Sequence, residues 1–128
     1  MGRYLSYGML SLRTRREDGL SSMAHYVLDA RTATPHFPGI GRYVASLARA
    51  LAPALADEER LSLLVDPAHP LSLDDEPKVS TISVTVTPFS LGQQWVVPRL
   101  LRELKADLYH SPYYLMPYRP SVPTVLTI

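Results

Sequence analysis

A strand-like run, Tyr26-Val27-Leu28-Asp29-Ala30, passes into a long turn-rich loop, and the loop ends in Gly39-Ile40-Gly41 at the start of an amphipathic segment. The run is apolar at most positions rather than alternating, which suits a parallel strand buried on both faces. After the glycines, Ile40, Val44, Leu47, Ala48 and Leu51 recur at helical spacing and form one apolar stripe. Arg42, Ser46 and Arg49 fall off it. Strand, glycine-bearing loop and helix start, in that order, turn backbone N–H groups toward an anion or a sugar hydroxyl. The same order commits the chain to an α/β architecture.

The remaining segments extend the pattern. Strands are expected at 25–30, 61–65, 79–87, 107–110 and 124–128, and helices at 39–52 and 91–105. Pro53 ends or kinks the first helix, and Pro98 kinks or restarts the second. Leu91, Trp95, Leu101 and Leu104 mark the expected buried side of the second helix, and Thr124-Val125-Leu126-Thr127-Ile128 reads as a buried strand. The order β-α-β-β-α-β-loop-β predicts a Rossmann-like, open, mostly parallel sheet. Asp74-Asp75-Glu76 reads as a solvated turn.

Composition excludes several function classes. The chain has 128 residues, enough for one domain and one core. Its net charge of +1 argues against a dedicated nucleic-acid surface. It has no cysteine, so it has neither a disulfide framework nor a thiolate metal site. No apolar run approaches the roughly 20 residues of a membrane span. Residues 1–22 differ in character from the remainder of the chain, with Arg3, Arg13, Arg15 and Arg16 against Glu17 and Asp18. They read as a disordered leader or a mis-assigned start, with Met23 as the natural beginning and a short membrane-surface tail as the alternative. Residues 23–128 then form the domain.

In open α/β sheets, ligands bind outside the carboxyl ends of the strands. The candidates there are the 31–43 loop, Asp66, His110-Ser111 and Tyr113-Tyr114. Gly39-x-Gly41 is not a dinucleotide fingerprint, because the turn is long and Val44 stands at the third-glycine position. Arg42 sits in the first helical turn, where a cation opposes the helix dipole and a bound anion would relieve the conflict. His110 can hydrogen-bond a hydroxyl or act as an acid or base near neutral pH, or simply pack under its loop. Tyr113 and Tyr114 can form an aromatic wall for a sugar face or cover the core edge. His25, His36 and His69 look incidental, and no histidine pair shows metal-ligand spacing.

Three blocks resemble family-4 retaining glycosyltransferases of the GT-B fold, in their mannosyltransferase-like, polysaccharide-building branch. The first is Asp29-Ala30-Arg31 with Pro38-Gly39-Ile40-Gly41-Arg42-Tyr43 and Leu47-Ala48-Arg49-Ala50-Leu51. The second is Lys105-Ala106-Asp107-Leu108-Tyr109-His110-Ser111-Pro112-Tyr113-Tyr114-Leu115-Met116-Pro117. The third is Pro123-Thr124-Val125-Leu126-Thr127-Ile128. The resemblance covers residues 24–128 and implies two Rossmann-like domains, of which this is part of the N-terminal, acceptor-side one.

It implies transfer with retention from a nucleotide-sugar substrate, best guessed as mannose on guanosine diphosphate, with no cofactor and no metal. The acceptor is a glycan or lipid-linked molecule, and the setting is cytoplasmic or the inner membrane face. Gly39, Ile40 and Gly41 would let the backbone approach donor phosphates or the reacting sugar. Arg42, His110, Tyr113 and Tyr114 would border the acceptor. In the family, the third block runs on into a histidine-aspartate catalytic loop that the sequence does not contain, and the donor-binding domain is also missing. The chain alone is therefore expected to lack transferase activity and to self-associate through an incomplete sheet. The alternatives are a non-catalytic half-Rossmann module completed by a partner chain, or a dinucleotide-dependent oxidoreductase domain.

Overall fold

A computed structural model of the chain describes residues 23–71, 73, 75–114 and 116–128. The reading of 1–22 as a leader, and the Asp74 and Leu115 positions, lie outside the described residues.

The chain folds into β1 (Ala24–Asp29), α1 (Pro38–Ala54), β2 (Glu59–Val65), β3 (Val79–Ser83), α2 (Gln93–Glu103), β4 (Leu108–Ser111) and β5 (Thr124–Leu126). The five strands form one sheet in the order β3-β2-β1-β4-β5, and every pair is parallel. This is the Rossmann-like arrangement expected of the pattern, with parallel pairing throughout. The order reverses at β1: β2 and β3 lie to one side, and after α2 the chain returns on the other side as β4. The carboxyl ends of β1 and β4 therefore flank the switch point.

Each face of the sheet has its own core. Leu28, Ala30, Leu61, Leu63 and Val65 pack against Val44 and Ala48 of α1. Val27, Leu64 and Tyr109 pack with Val84, Ala106, and Val97 and Leu101 of α2. Among the described residues no helix links β2 to β3; Leu71 and Leu73 from that connection lie against the α1-side core instead. His25, which looked incidental, fastens the strand starts. Its Nδ1–H donates to Leu104 O (2.9 Å) and its Nε2 accepts from Ser62 Oγ (2.7 Å), which lies 2.9 Å from Ser80 Oγ. Nδ1 must carry a proton because a carbonyl can only accept, which leaves Nε2 of the neutral ring as the acceptor.

Four expectations need correction. First, α1 runs two residues past 52, to Ala54, so Pro53 falls within its last turn and marks the helix end as expected, with only the boundary shifted. Second, β3 stops at Ser83 rather than running to Thr87. Its partner β2 ends at Val65, so beyond the Val84 N–H to Val65 O bond (2.9 Å) there is no ladder to join.

Third, the expected buried side of α2 holds at its C-terminal end, where Leu101 is buried and Leu104 packs on the core, but fails at its start. Trp95 and Leu91 are 70% and 78% exposed, while Gln93, Val97 and Leu101 face inward. Gln93 is held inside by a hydrogen bond from Arg31, and this polar anchor sets the helix phase. Fourth, β5 is an edge strand, not a buried one. Val125 and Leu126 are exposed, and neither belongs to a core cluster.

The end of α2 is a Schellman turn: Ala106 N–H donates to Leu101 O (3.0 Å) and Lys105 N–H to Arg102 O (3.1 Å). Lys105 takes the left-handed position, φ 52°, that glycine usually fills.

The inward face of α2 is directly testable. Leu101→Ala should destabilise by about 2–5 kcal/mol through a core cavity. Trp95→Ala should change stability by no more than about 0.5 kcal/mol. Thermal unfolding followed by circular dichroism measures both, and the reverse ranking would contradict this inward face.

Candidate functional site

Beyond the carboxyl ends of the strands, three connections meet. Phe37 comes from the loop after β1, Phe89 from the loop after β3, and Tyr113 and Tyr114 from the loop after β4. Phe37 and Phe89 are stacked, with centroids 5.6 Å apart and planes at 25°. Tyr113 lies 5.9 Å from each of them, and Tyr114 is 4.2 Å from Tyr113. Phe89 and Tyr114 are more than half exposed, so the cluster presents aromatic surface to solvent. Phe37 is also the residue preceding α1, and no side chain caps that helix start. The first N–H groups of a helix lack intrahelical partners, so the rings stand beside uncommitted donors.

Beneath the cluster lies a buried ionic node. The Asp29 carboxylate accepts from Arg31 N (3.1 Å), Nε (2.9 Å) and Nη2 (2.6 Å), and from the Tyr109 hydroxyl (2.5 Å). Arg31 also donates to Val86 O (3.1 Å) and to Gln93 Oε1 (3.1 Å). Asp29 and Arg31 are only 4% and 3% exposed, so the pair sits in a poorly screened interior. Burial opposes the Arg31 charge, but the Asp29 carboxylate outweighs it and raises the pKa. Burial, reinforced by Asp29, pushes the Tyr109 phenol well above its ordinary value, so it remains a donor. One node thus ties β1, β4, the loop after β3 and the start of α2.

The residues singled out from sequence fall into separate environments. A Cβ at Gly41 would come within 3.4 Å of Ala33 Cα, so this glycine lets the preceding loop pack on its own helix. A Cβ at Gly39 would meet nothing within 4 Å, and Gly39 is exposed at the helix start. Ile40 packs against the α1-side core. Arg42 is exposed, with no ion pair among the described residues.

His110 lies on the α1 face of the sheet, its Nε2 2.8 Å from Thr127 Oγ1, and Tyr43 reaches the same hydroxyl at 3.2 Å. Burial lowers the His110 pKa, which keeps the imidazole neutral at pH 7. His110 also lines an apolar groove of about 290 Å³ beneath Leu47 and Leu51 of α1. Tyr113 and Tyr114 alone join the aromatic cluster directly. Asp66 is spent on its own turn, accepting from Ala68 N at 2.9 Å.

Comparison of the chain with protein-family models, with curated proteins and with solved structures returned no match. The site is therefore described from its own geometry. Among the described residues, no group of three or more His, Cys, Asp or Glu side chains could hold a metal ion, and no helix is long and apolar enough to cross a membrane.

Phe89 and Gln93 were not singled out from sequence; Arg31 and Phe37 were included only as part of the 31–43 loop, and Asp29 and Tyr109 only as part of the resembling blocks. Two signals were present. Phe37 and Phe89 are the only two phenylalanines, and each adjoins a proline in a loop after a strand. Asp29-Ala30-Arg31 places opposite charges where an apolar strand ends.

Removing one member of the buried pair leaves the other charge unpaired, a loss of about 3–5 kcal/mol. Asp29→Ala and Arg31→Met should each melt far below the wild type, and the double substitution should lose less than the two losses combined. Additive losses would show that the pair is not coupled.

His110 gives a second test. Its folded pKa lies below the unfolded value near 6.5. The unfolded chain therefore binds more protons as the pH falls below that value, and stability declines as the pH drops from 7 toward and through the folded pKa. His110→Gln should flatten that decline in melting curves taken between about pH 7 and 5.

Proposed function

We propose that this domain is the acceptor-side part of a retaining, nucleotide-sugar-dependent glycosyltransferase of the GT-B type, and that its aromatic cluster holds the acceptor glycan. The observation that carries this reading is the Phe37–Phe89–Tyr113–Tyr114 cluster at the switch point of a parallel sheet. Sugar rings have apolar C–H faces that pack on aromatic rings, and hydroxyls that need hydrogen-bonding partners nearby. Ligands of open α/β sheets gather in this crevice. The three sequence blocks that resemble family-4 enzymes support the same reading, because two of them supply ring residues or the adjacent helix start.

In the proposed reaction, the bond from the anomeric carbon to the nucleotide diphosphate breaks. A bond from that carbon to an acceptor hydroxyl forms on the same face, and the hydroxyl proton leaves with the diphosphate. Gly39 and Arg42 lie at the helix start, where an anionic donor group is stabilised. The described residues are proposed to bind acceptor without completing transfer, mannose being the first donor sugar to try.

A second reading has its own observation. Val125 and Leu126 on β5 are exposed, and Ile128 is fully so. A non-catalytic module completed by a partner chain would cover that surface.

Saturation-transfer NMR separates the two. Methyl α-mannoside and short manno-oligosaccharides should bind the chain at millimolar strength, and a Phe89→Ala/Tyr113→Ala variant should lose the signal. Equal signals from the wild type and the variant, or none from either, would sink the glycan reading.

A further inference from the structure

Beside the aromatic cluster is a second cleft, of about 310 Å³, between the start of α2 and the loop after β4. Gln93, Gln94, Tyr114, Met116, Pro117 and Tyr118 line it. We propose that this cleft is a subsite for a neutral sugar unit, with the Gln93 carboxamide NH2 as its buried hydrogen-bond donor. The proposal rests on the glycan reading of the aromatic cluster and extends it to a ligand of at least two sugar units.

The orientation of Gln93 is dictated by its neighbour. Arg31 is donor-only and permanently charged, so the Gln93 oxygen must face it, as the 3.1 Å contact from Nη2 shows. The NH2 end of the planar carboxamide then points away from Arg31. Gln93 is 3% exposed, and its nitrogen has no hydrogen-bond partner among the described residues. The nitrogen is not sealed off either. Among the described residues, the one fully enclosed side-chain polar atom without a partner is the Thr32 hydroxyl, so the Gln93 nitrogen keeps an opening, and Gln93 lines this cleft. A nearly buried donor, held in one orientation and left unpaired, is costly unless something accepts from it.

Gln94 obeys the same logic: its oxygen accepts from Tyr118 N at 2.8 Å, which directs its NH2 elsewhere. Tyr114 and Tyr118 add aromatic surface, Tyr118 being 89% exposed. Among the described residues, no side chain lining the cleft carries a charge, which favours a neutral pyranose over a phosphate or a uronate. Two amide side chains whose oxygens are already engaged, leaving their NH2 groups to donate, and two phenol rings match the hydroxyl oxygens and C–H face of such a ring. Tyr114 belongs both to this cleft and to the aromatic cluster, 4.2 Å from Tyr113, so the two sites are continuous.

The test compares methyl α-mannoside with mannobiose and mannotriose on the full chain, using titration NMR. Wild type should bind the longer probes about fivefold or more tightly than the monosaccharide, in line with one or two added hydrogen bonds. Gln93→Glu keeps an acceptor for Arg31 but removes the NH2 donor. It adds a carboxylate beside the Asp29–Arg31 pair and should melt lower than the wild type; folded, it should keep its monosaccharide affinity yet lose the gain from length. Tyr118→Ala, at an exposed position, should also lose that gain and serves if the Gln93 variant fails to fold.

If monosaccharide binds at the aromatic cluster but length brings no gain, or both variants keep the gain, the subsite proposal is overturned and the glycan reading stands. If no probe binds the wild type, both fall.

Discussion

The Asp29–Arg31 pair is the constraint on which the upper half of this fold depends. An arginine cannot shed its proton to escape burial, so every N–H it carries into the interior needs an acceptor. The Asp29 carboxylate accepts from Nε and Nη2, Val86 O from Nη1, and Gln93 Oε1 from Nη2. Each acceptor belongs to a different stretch of chain. Satisfying one guanidinium therefore fixes where the loop after β3 passes and how α2 is turned. Tyr109 adds β4 to the same carboxylate. Desolvation cancels much of the pair's attraction, so its geometry is evidence of a fixed arrangement rather than of a large net stabilisation.

That dependence explains what could be read from the sequence and what could not. β1, β2 and α1 were legible because their apolar residues fit the periods of buried strand and amphipathic helix, and local pattern decides them. The C-terminal half of α2 was legible too, through Leu101 and Leu104, but its start was not. By hydrophobicity, Leu91 and Trp95 should face inward and Gln93 outward; the structure does the opposite because Arg31, distant in sequence, claims Gln93. The length of β3 was misjudged for a similar reason, since it is set by where β2 ends. The exposure of β5 depends on which helices lie over it, and no pattern inside Thr124–Leu126 carries that information.

The candidate site divides along the same line. Tyr113 and Tyr114 were visible as a pair after a strand, and the glycines as a helix entrance. The two glycines then proved to have different jobs: Gly41 gives its own loop room to pack, and Gly39 faces open space. Phe37 and Phe89 looked like ordinary loop residues. Only the sheet order, which brings the connections after β1, β3 and β4 to one end, turns them into neighbours. A site built by topology is legible from sequence only as far as the topology is.

The aromatic cluster has a kinetic consequence. Its rings come from three connections that are remote along the chain, so none of the contacts between connections can form locally. Loop-closure entropy must be met, and the parallel strands aligned, before those rings touch. The cluster thus belongs to the last part of the structure to condense and the first to come apart when the sheet opens. Occupancy by a ligand would bridge all three connections at once and act as a non-covalent staple, slowing unfolding while leaving the early steps of folding untouched.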